Sequence, residues 1–373
     1  MAWAATLLLG RAPGLAESAA AAASALSSAL ARVSGLVPFA LSEWVIAAFL
    51  LRQFCGAARG GYAVVRGRRS ARNAAGCGAL RLASDIGVAV TLFYLLWGVH
   101  YARAPLPERL DWVEPGAATA GADLPELGAL AKRFLEATNA AYLQLHGTED
   151  AGAPTPRPPD GATLHAALES GWAEAADRLG LPGREARPAG RVKRLLASGM
   201  LDRLGITGFY FPFTAEANAN RGIPAVTLPV TLAHETAHRR GFASEDEANF
   251  IGFLAAWHAP DALARYAAAL FAHRQTLSAL AAVDPDGAHV LAEGRSPGVQ
   301  RDLDDRAAYW RQFRGRARTA GRRVNDAYLR TNRVEGGVRS YGRSVALIVE
   351  WSRREPDSGP RAYDEGDSST RFR

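Results

Sequence analysis

The chain has 373 residues, 48% of them hydrophobic, with a formal net charge of +7 and two cysteines. That length allows one large domain or two ordinary ones. Two cysteines exclude a disulfide framework. Residues 52–81 hold seven arginines and no acid, so this one segment carries the whole net charge. The rest is electrically neutral and shows no basic face interleaved with aromatics, which excludes nucleic acid as a partner.

Taken in chain order, Met1–Gly10 is a short apolar stub without a basic start, unlike a cleaved signal peptide. Two apolar segments follow, near 36–56 and 82–99, and are candidate membrane spans although neither is a clean run of ~20 apolar residues. Glu43 and Asp85 lie within or beside them and are tolerable only near an interface. The Arg-rich segment between the spans reads as a short cytoplasmic loop, and Trp44, Trp97 and Tyr101 sit where aromatic belts form. Everything after Tyr101 is then expected outside the cytoplasm.

Pro105 and Pro107 mark a linker, and Asp123 is placed to cap a helix over 124–145. A Pro- and Gly-rich surface loop covers 151–161, and helical pattern returns over 162–179 and 191–203. Ile206–Phe213 and Ile223–Leu228 look extended, with Pro212 and Pro224 confining them to irregular or edge strands. Between them, Glu216 to Arg221 form a polar turn in which Glu216 is a candidate to meet a metal shell or a substrate amine. Helices are expected over 261–282, 303–331 and 337–352, with His258 and His273 at surfaces or helix ends. Residues 353–373 are expected to be a disordered tail.

Residues 234–249, HETAHRRGFASEDEAN, carry the chemistry. Residues four apart share one helix face, so His234 and His238 present their imidazoles to one point, where they can ligate Zn²⁺. Glu235, one step around, is the candidate general base. Gly241 is a helix stop. Ser244 and Glu247 fit an S-x-x-E capping box opening a second helix, which gives Glu247 a structural role. Glu245 has Ala248, Asn249 and Gly252 on its face, small residues that let two helices approach. Glu245 is therefore the expected third ligand, with Glu247 as runner-up, and Asn249 orients a ligand. Tyr341 and Tyr210 are candidates to steady an oxyanion. No cysteine or nearby further histidine offers a fourth ligand, which favours an open, catalytic site over a closed structural one.

The Glu245–Asn249 run resembles the ExxAD signature that follows HExxH in membrane-bound gluzincin peptidases, with Asn249 in place of the aspartate. More broadly, the chain resembles DUF3810, a bacterial membrane-protein family known only as a domain of unknown function. Leu36-Val-Pro-Phe39, Trp97 to Arg103, Gly208 to Asn218, the metal motif and Val338 to Arg343 carry that likeness, across residues 36–352. The first ten residues depart from it, standing where the family usually has a full first span. The resemblance implies a membrane-anchored, zincin-like protein of unassigned substrate.

The fold expected is mainly α: N-terminal transmembrane helices, then an α-rich zincin-like domain with a small irregular β element. Boundaries are set at 1–104 for the anchor, 105–352 for the catalytic domain and 353–373 for the tail. The function expected is a zinc metallopeptidase with one Zn²⁺, multi-pass in the bacterial inner membrane, with the lipid bilayer and a peptide or protein substrate as partners. The alternatives are a membrane or envelope scaffold that keeps a metal site, and a zinc hydrolase of a non-peptide amide or ester. Oligomeric state is left open.

Overall fold

The computed structural model describes residues 12–114, 121–158, 161–186, 190–331 and 344–356. The protein is mainly helical, with one small sheet. Met1–Gly10, Val338–Arg343 with Tyr341, and most of the expected tail lie outside the described residues.

Helix α1 (Pro13–Gly35), the first among the described residues, was not expected from the sequence. It is rich in alanine and serine, and Ala20 and Ala23 pack on Val99. Helices α2 (Leu41–Val65) and α3 (Ala71–Leu96) form an antiparallel hairpin. Both are long and apolar enough to cross a membrane. At 1.5 Å per residue each is about 37–39 Å long, against a hydrocarbon core of about 30 Å. Their surfaces are unburied and greasy: Trp44, Leu50, Phe54, Leu80, Val88 and Leu95 are all exposed.

The expected Arg-rich loop is smaller than its sequence suggested. Arg52 and Arg59 lie on α2, Arg72 and Arg81 on α3, and only residues 66–70 form the turn. Arginine is a good helix former, so a run of arginines does not break a helix. Ser70 caps α3 by accepting from the Asn73 N–H at 3.2 Å.

The open end of the hairpin is bolted to the rest of the molecule. The Glu216 carboxylate accepts the Leu41 and Ser42 N–H groups at 3.1 and 2.8 Å, satisfying the first turn of α2. Glu43 accepts from Leu196 and Ala197 at 3.0 and 2.7 Å. At the other arm of the hairpin, α3 runs into the buried Trp97 and a 3-10 turn over Gly98–Ala102 whose Gly98, Val99 and His100 are buried. The turn at 66–70 therefore projects away from the domain.

That domain begins with the short helix α4 (Leu106–Arg109). Asp123 accepts the Glu126 N–H at 2.9 Å and caps α5 (Leu124–His146), which ends at Gly147 in a left-handed conformation, φ 70°. Then come α6 (Gly161–Arg178) and α7 (Gly183–Ala186), strand β1 (Lys193–Arg194), α8 (Ser198–Leu204) and strands β2 (Gly208–Phe211) and β3 (Glu216–Ala219). The helix expected over 191–203 is thus a strand and a short helix.

Strand order is β1-β3-β2, with β3 parallel to β1 and antiparallel to β2. The expectation of extended chain holds at 208–211 but not at 223–228, where Ala225–Thr227 is a 3-10 turn after Pro224. The central strand is instead Glu216–Ala219, expected as a solvated turn. Its polar side chains are buried and bonded: Asn218 Oδ1 accepts from Ser42 Oγ at 3.2 Å.

Helices α9 (Leu228–Arg239), α10 (Glu245–Trp257) and α11 (Ala262–Leu280) form the centre. Every residue of α10 from Glu247 to Trp257 is buried. Trp257 lies edge-on to Phe134 of α5 at 5.7 Å and to Trp351 at 6.1 Å. Asp261 caps α11 through the Ala264 N–H at 2.8 Å. Helix α12 (Pro285–Glu293) was unexpected, and the helix expected over 303–331 is split into α13 (Pro297–Arg311) and α14 (Arg316–Thr331). Helix α15 (Ser344–Arg354) closes the core through Trp351. His258 stands at a helix end as expected, capping the C-terminus of α10, and is 7% exposed; His273, expected at a surface or helix end, lies inside α11 and is fully buried.

Candidate metal centre

Helix α9 is amphipathic in an unusual sense: only His234 among its last nine residues is not fully buried. It ends at Arg240, and Gly241 takes φ 94°, a left-handed conformation that favours glycine. The turn reverses the chain so that α10 crosses α9. At the crossing, a Cβ on Gly252 would stand 2.9 Å from the His234 backbone nitrogen, so only glycine permits this approach.

The crossing brings Glu245 over the two histidines. The ligand atoms of His234, His238 and Glu245 all lie within 4.8 Å of one another. Glu245 carboxylate oxygens stand 3.4 Å from His234 Nε2 and 3.8 Å from His238 Nε2. Ligands held about 2.1 Å from one ion in a tetrahedron sit roughly 3.4 Å apart, so the two carboxylate–imidazole distances suit a divalent cation to within a few tenths of an ångström. His238 Nδ1 lies 2.8 Å from the Phe242 carbonyl oxygen. An N–H donated there leaves Nε2 as the lone-pair nitrogen facing the site. Among the described residues, no fourth His, Cys, Asp or Glu joins the group.

Burial governs the protonation of the cluster. It pushes the Glu235 carboxyl up to about 8, helped by the neighbouring Glu245. It pushes His238 down to about 4, with His234 acting in the same direction. For His234, burial opposes the cation, but Glu245, Glu235 and Asn249 outweigh it and raise its pKa. Glu235 is 3% exposed and its Oε2 has no hydrogen-bond partner. It packs on strand β2, where a Cβ at Gly208 would stand 2.6 Å from Glu235 Oε1. Glu235 is thus a buried carboxyl with one oxygen unpartnered next to the His234 imidazole, an arrangement that costs stability and is enriched at functional sites.

The other sequence candidates divide. Asn249 is beside His234. Tyr210 on β2 is half-buried, its hydroxyl enclosed with Ser27 of α1 beside it. Its ring lies 4.7 Å from that of Trp97, which in turn stands edge-on to His238 at 5.8 Å. Glu216 is not at the site; it caps α2. Glu247 is not there either. Its carboxylate accepts from the Leu106 N–H at 2.7 Å and pairs with Arg109 at 3.2 Å. Nor does the capping box form, because Ser244 Oγ bonds Asp246 and makes no cap bond to the backbone. Tyr341 lies outside the described residues.

Sequence reading missed Trp97 and α1 as walls of the site. A Cβ on Gly241 would meet His100 Cε1 at 2.8 Å and Ser24 Oγ at 3.5 Å, so both the 3-10 turn and α1 lie against the loop after α9. A charge network ties these parts together. Arg103 pairs with Glu17 of α1 at 2.9 Å and with Glu185, and Arg109 joins Glu185 at 3.0 Å to Glu247.

Residues 22–349 match the family described as protein of unknown function (DUF3810). The chain belongs to this family. The match takes in α2 and α3, the sheet and the His234–His238–Glu245 cluster of this DUF3810 protein, as well as most of α1. No curated protein and no solved structure is detectably similar to it.

Proposed function

We propose that this DUF3810 protein is a membrane-anchored metallopeptidase that binds one Zn²⁺ through His234, His238 and Glu245. The observation that carries the reading is the convergence of these three donors beside a buried, unpartnered Glu235 oxygen. Two imidazoles and a carboxylate are a zinc donor set, and three protein ligands leave a position open for substrate. Zinc, when bound, supplies Lewis acidity: it polarises a carbonyl and makes water a nucleophile at neutral pH.

The chain's own residues do the rest. Glu235 takes the proton from the attacking water and returns it to the leaving amine, a task suited to a carboxyl held near neutrality. The Phe242 carbonyl fixes the His238 ring. Strand β2 is a sheet edge beside Glu235 and can receive an extended peptide by strand addition. The hairpin α2–α3 spans the bilayer, its Arg-rich turn in the cytoplasm by the positive-inside rule, so the site lies outside the inner membrane.

The test is metal analysis of the detergent-purified full chain, wild type against His238→Ala and Glu235→Gln, followed by digestion of casein or a lipoprotein. About one zinc per chain is expected in wild type and in the glutamine variant, and none in the histidine variant. Hydrolysis is expected in wild type alone. Equally negligible zinc in all three proteins defeats the reading.

A further inference from the structure

A cavity of about 1240 Å³ lies between α1, the turn at Leu36–Phe39 and the side of α9 that faces away from the metal cluster. Seven arginines and Lys193 line it, and no acid does so among the described residues. Three of these cations are nine-tenths buried or more: Lys193, Arg239 and Arg240 are 6%, 9% and 7% exposed. Their partners satisfy them in part. Lys193 donates to the Ser34 and Val37 carbonyls, Arg239 to the Gly190 carbonyl at 3.0 Å, and Arg240 to Glu169 at 2.6 Å. The Nε atoms of Arg239 and Arg240 are buried without an acceptor.

Three further arginines crowd the wall. Arg194 and Arg221 each donate to the other's carbonyl, at 3.2 and 3.3 Å, which fixes the two guanidinium groups side by side. Burial, and then the Arg157 and Arg221 cations, push Arg194 down to about 10. Folding therefore gathers like charges here against their mutual repulsion, and an anion is what relieves it.

We propose that this cavity is an anion site that takes a phosphate-bearing group, distinct from the metal centre and independent of it. Guanidinium forks match phosphate oxygens bidentately, and arginine is chosen over lysine where that geometry matters. The mouth includes Leu36 and Phe39, 84% and 46% exposed, immediately before the apolar helix α2. With α2 in a bilayer, the mouth stands at headgroup depth, so the phosphate can come from a lipid headgroup or from solution.

The experiment uses the full chain in phosphatidylcholine nanodiscs, titrated with inorganic phosphate, and in nanodiscs carrying phosphatidylglycerol. Binding is read by the shift in melting temperature and by calorimetry. Two cavity variants, Arg194→Gln/Arg221→Gln and Arg32→Gln/Arg191→Gln, are compared with Arg311→Gln/Arg314→Gln, which removes the same charge from another face. The second cavity pair guards against misfolding in the first. Saturable binding is expected in wild type and the control, weakened at least tenfold in a folded cavity variant. Response to inorganic phosphate marks a soluble ligand; response only to phosphatidylglycerol marks a headgroup; either supports the site. No saturable response in wild type, or equal loss in the control, overturns it.

Discussion

Glu245 and Glu247 are about 200° apart around α10, so their carboxylates cannot serve the same point. Glu245 faces the two imidazoles, while Glu247 is spent on Arg109 and the Leu106 N–H. The sequence separated the two acids as the structure places them, but through a capping box that does not form. What it could not show is that an arginine 138 residues earlier meets Glu247 in space. Glu245→Gln is expected to abolish zinc uptake with little change in melting temperature. Glu247→Ala is expected to keep the zinc but lose stability. Breaking a buried ion pair costs about 3–5 kcal/mol, and less here because Arg109 keeps Glu185. Metal analysis and thermal melting of both variants check the pair; loss of zinc in Glu247→Ala alone contradicts it. His273 gives a residue-scale prediction remote from the metal. It is buried and accepts from Arg295 Nε at 3.0 Å, and burial followed by the Arg295 charge pushes it down to about 4. A folded pKa below the unfolded 6.5 means the unfolded chain takes up the proton first. The stabilisation is present above about pH 6.5 and lost as pH falls toward 4, on the order of 3 kcal/mol in all. His273→Gln keeps an acceptor for Arg295 without titrating. Its melting temperature is expected to fall less steeply than wild type between pH 6.5 and 4, and parallel curves refute this.

The hairpin α2–α3 was legible as two apolar segments, because hydropathy is a local property of the chain. Its helix ends were not, since arginine continues a helix as readily as leucine. Helix α1 was illegible for a related reason. Its contact face is Ala16, Ala20 and Ala23, and helical spacing of alanine does not stand out in a segment made of alanine and serine. The sheet was half legible. Phe209 to Phe211 announce a strand by composition, whereas Glu216–Ala219 is a strand only because β1 and β2 flank it. One pairing inside the hairpin bears on the proposal that it spans a bilayer. Arg52 meets Asp85 through two bonds at 2.9 and 3.0 Å, and Gln53 adds a third at 2.7 Å. Both residues are eleven or more positions from either end of their helices. Asp85 was expected near an interface; its place in the middle of α3 is tolerable in lipid only because it is paired. Asp85→Asn alone is therefore expected to lower expression and melting temperature more than Arg52→Leu/Asp85→Leu, which removes the charges together. The reverse order places the pair in water and argues against a spanning hairpin.

At the scale of the whole molecule, the two ends of the hairpin answer to different surroundings. Its open end is sewn to the domain by Glu43, Glu216 and the buried Trp97, within one aromatic ring of His238. Its closed end carries Arg66, Arg68 and Arg69, all exposed. If the hairpin spans the bilayer, the metal cluster stands at one membrane face and the turn at the other. The two native cysteines, Cys55 and Cys77, are both on the hairpin, so replacing them with alanine gives a thiol-free background. In that background, Arg68→Cys reports the turn, and Val290→Cys on the exposed face of α12 reports the domain. A membrane-impermeant thiol reagent added to spheroplasts is expected to label position 290 and spare position 68, and to do the opposite in inverted vesicles. Labelling of both from one side means that the hairpin does not cross. The mirror pattern leaves a spanning hairpin but puts the metal cluster in the cytoplasm, where the substrate would have to be sought instead.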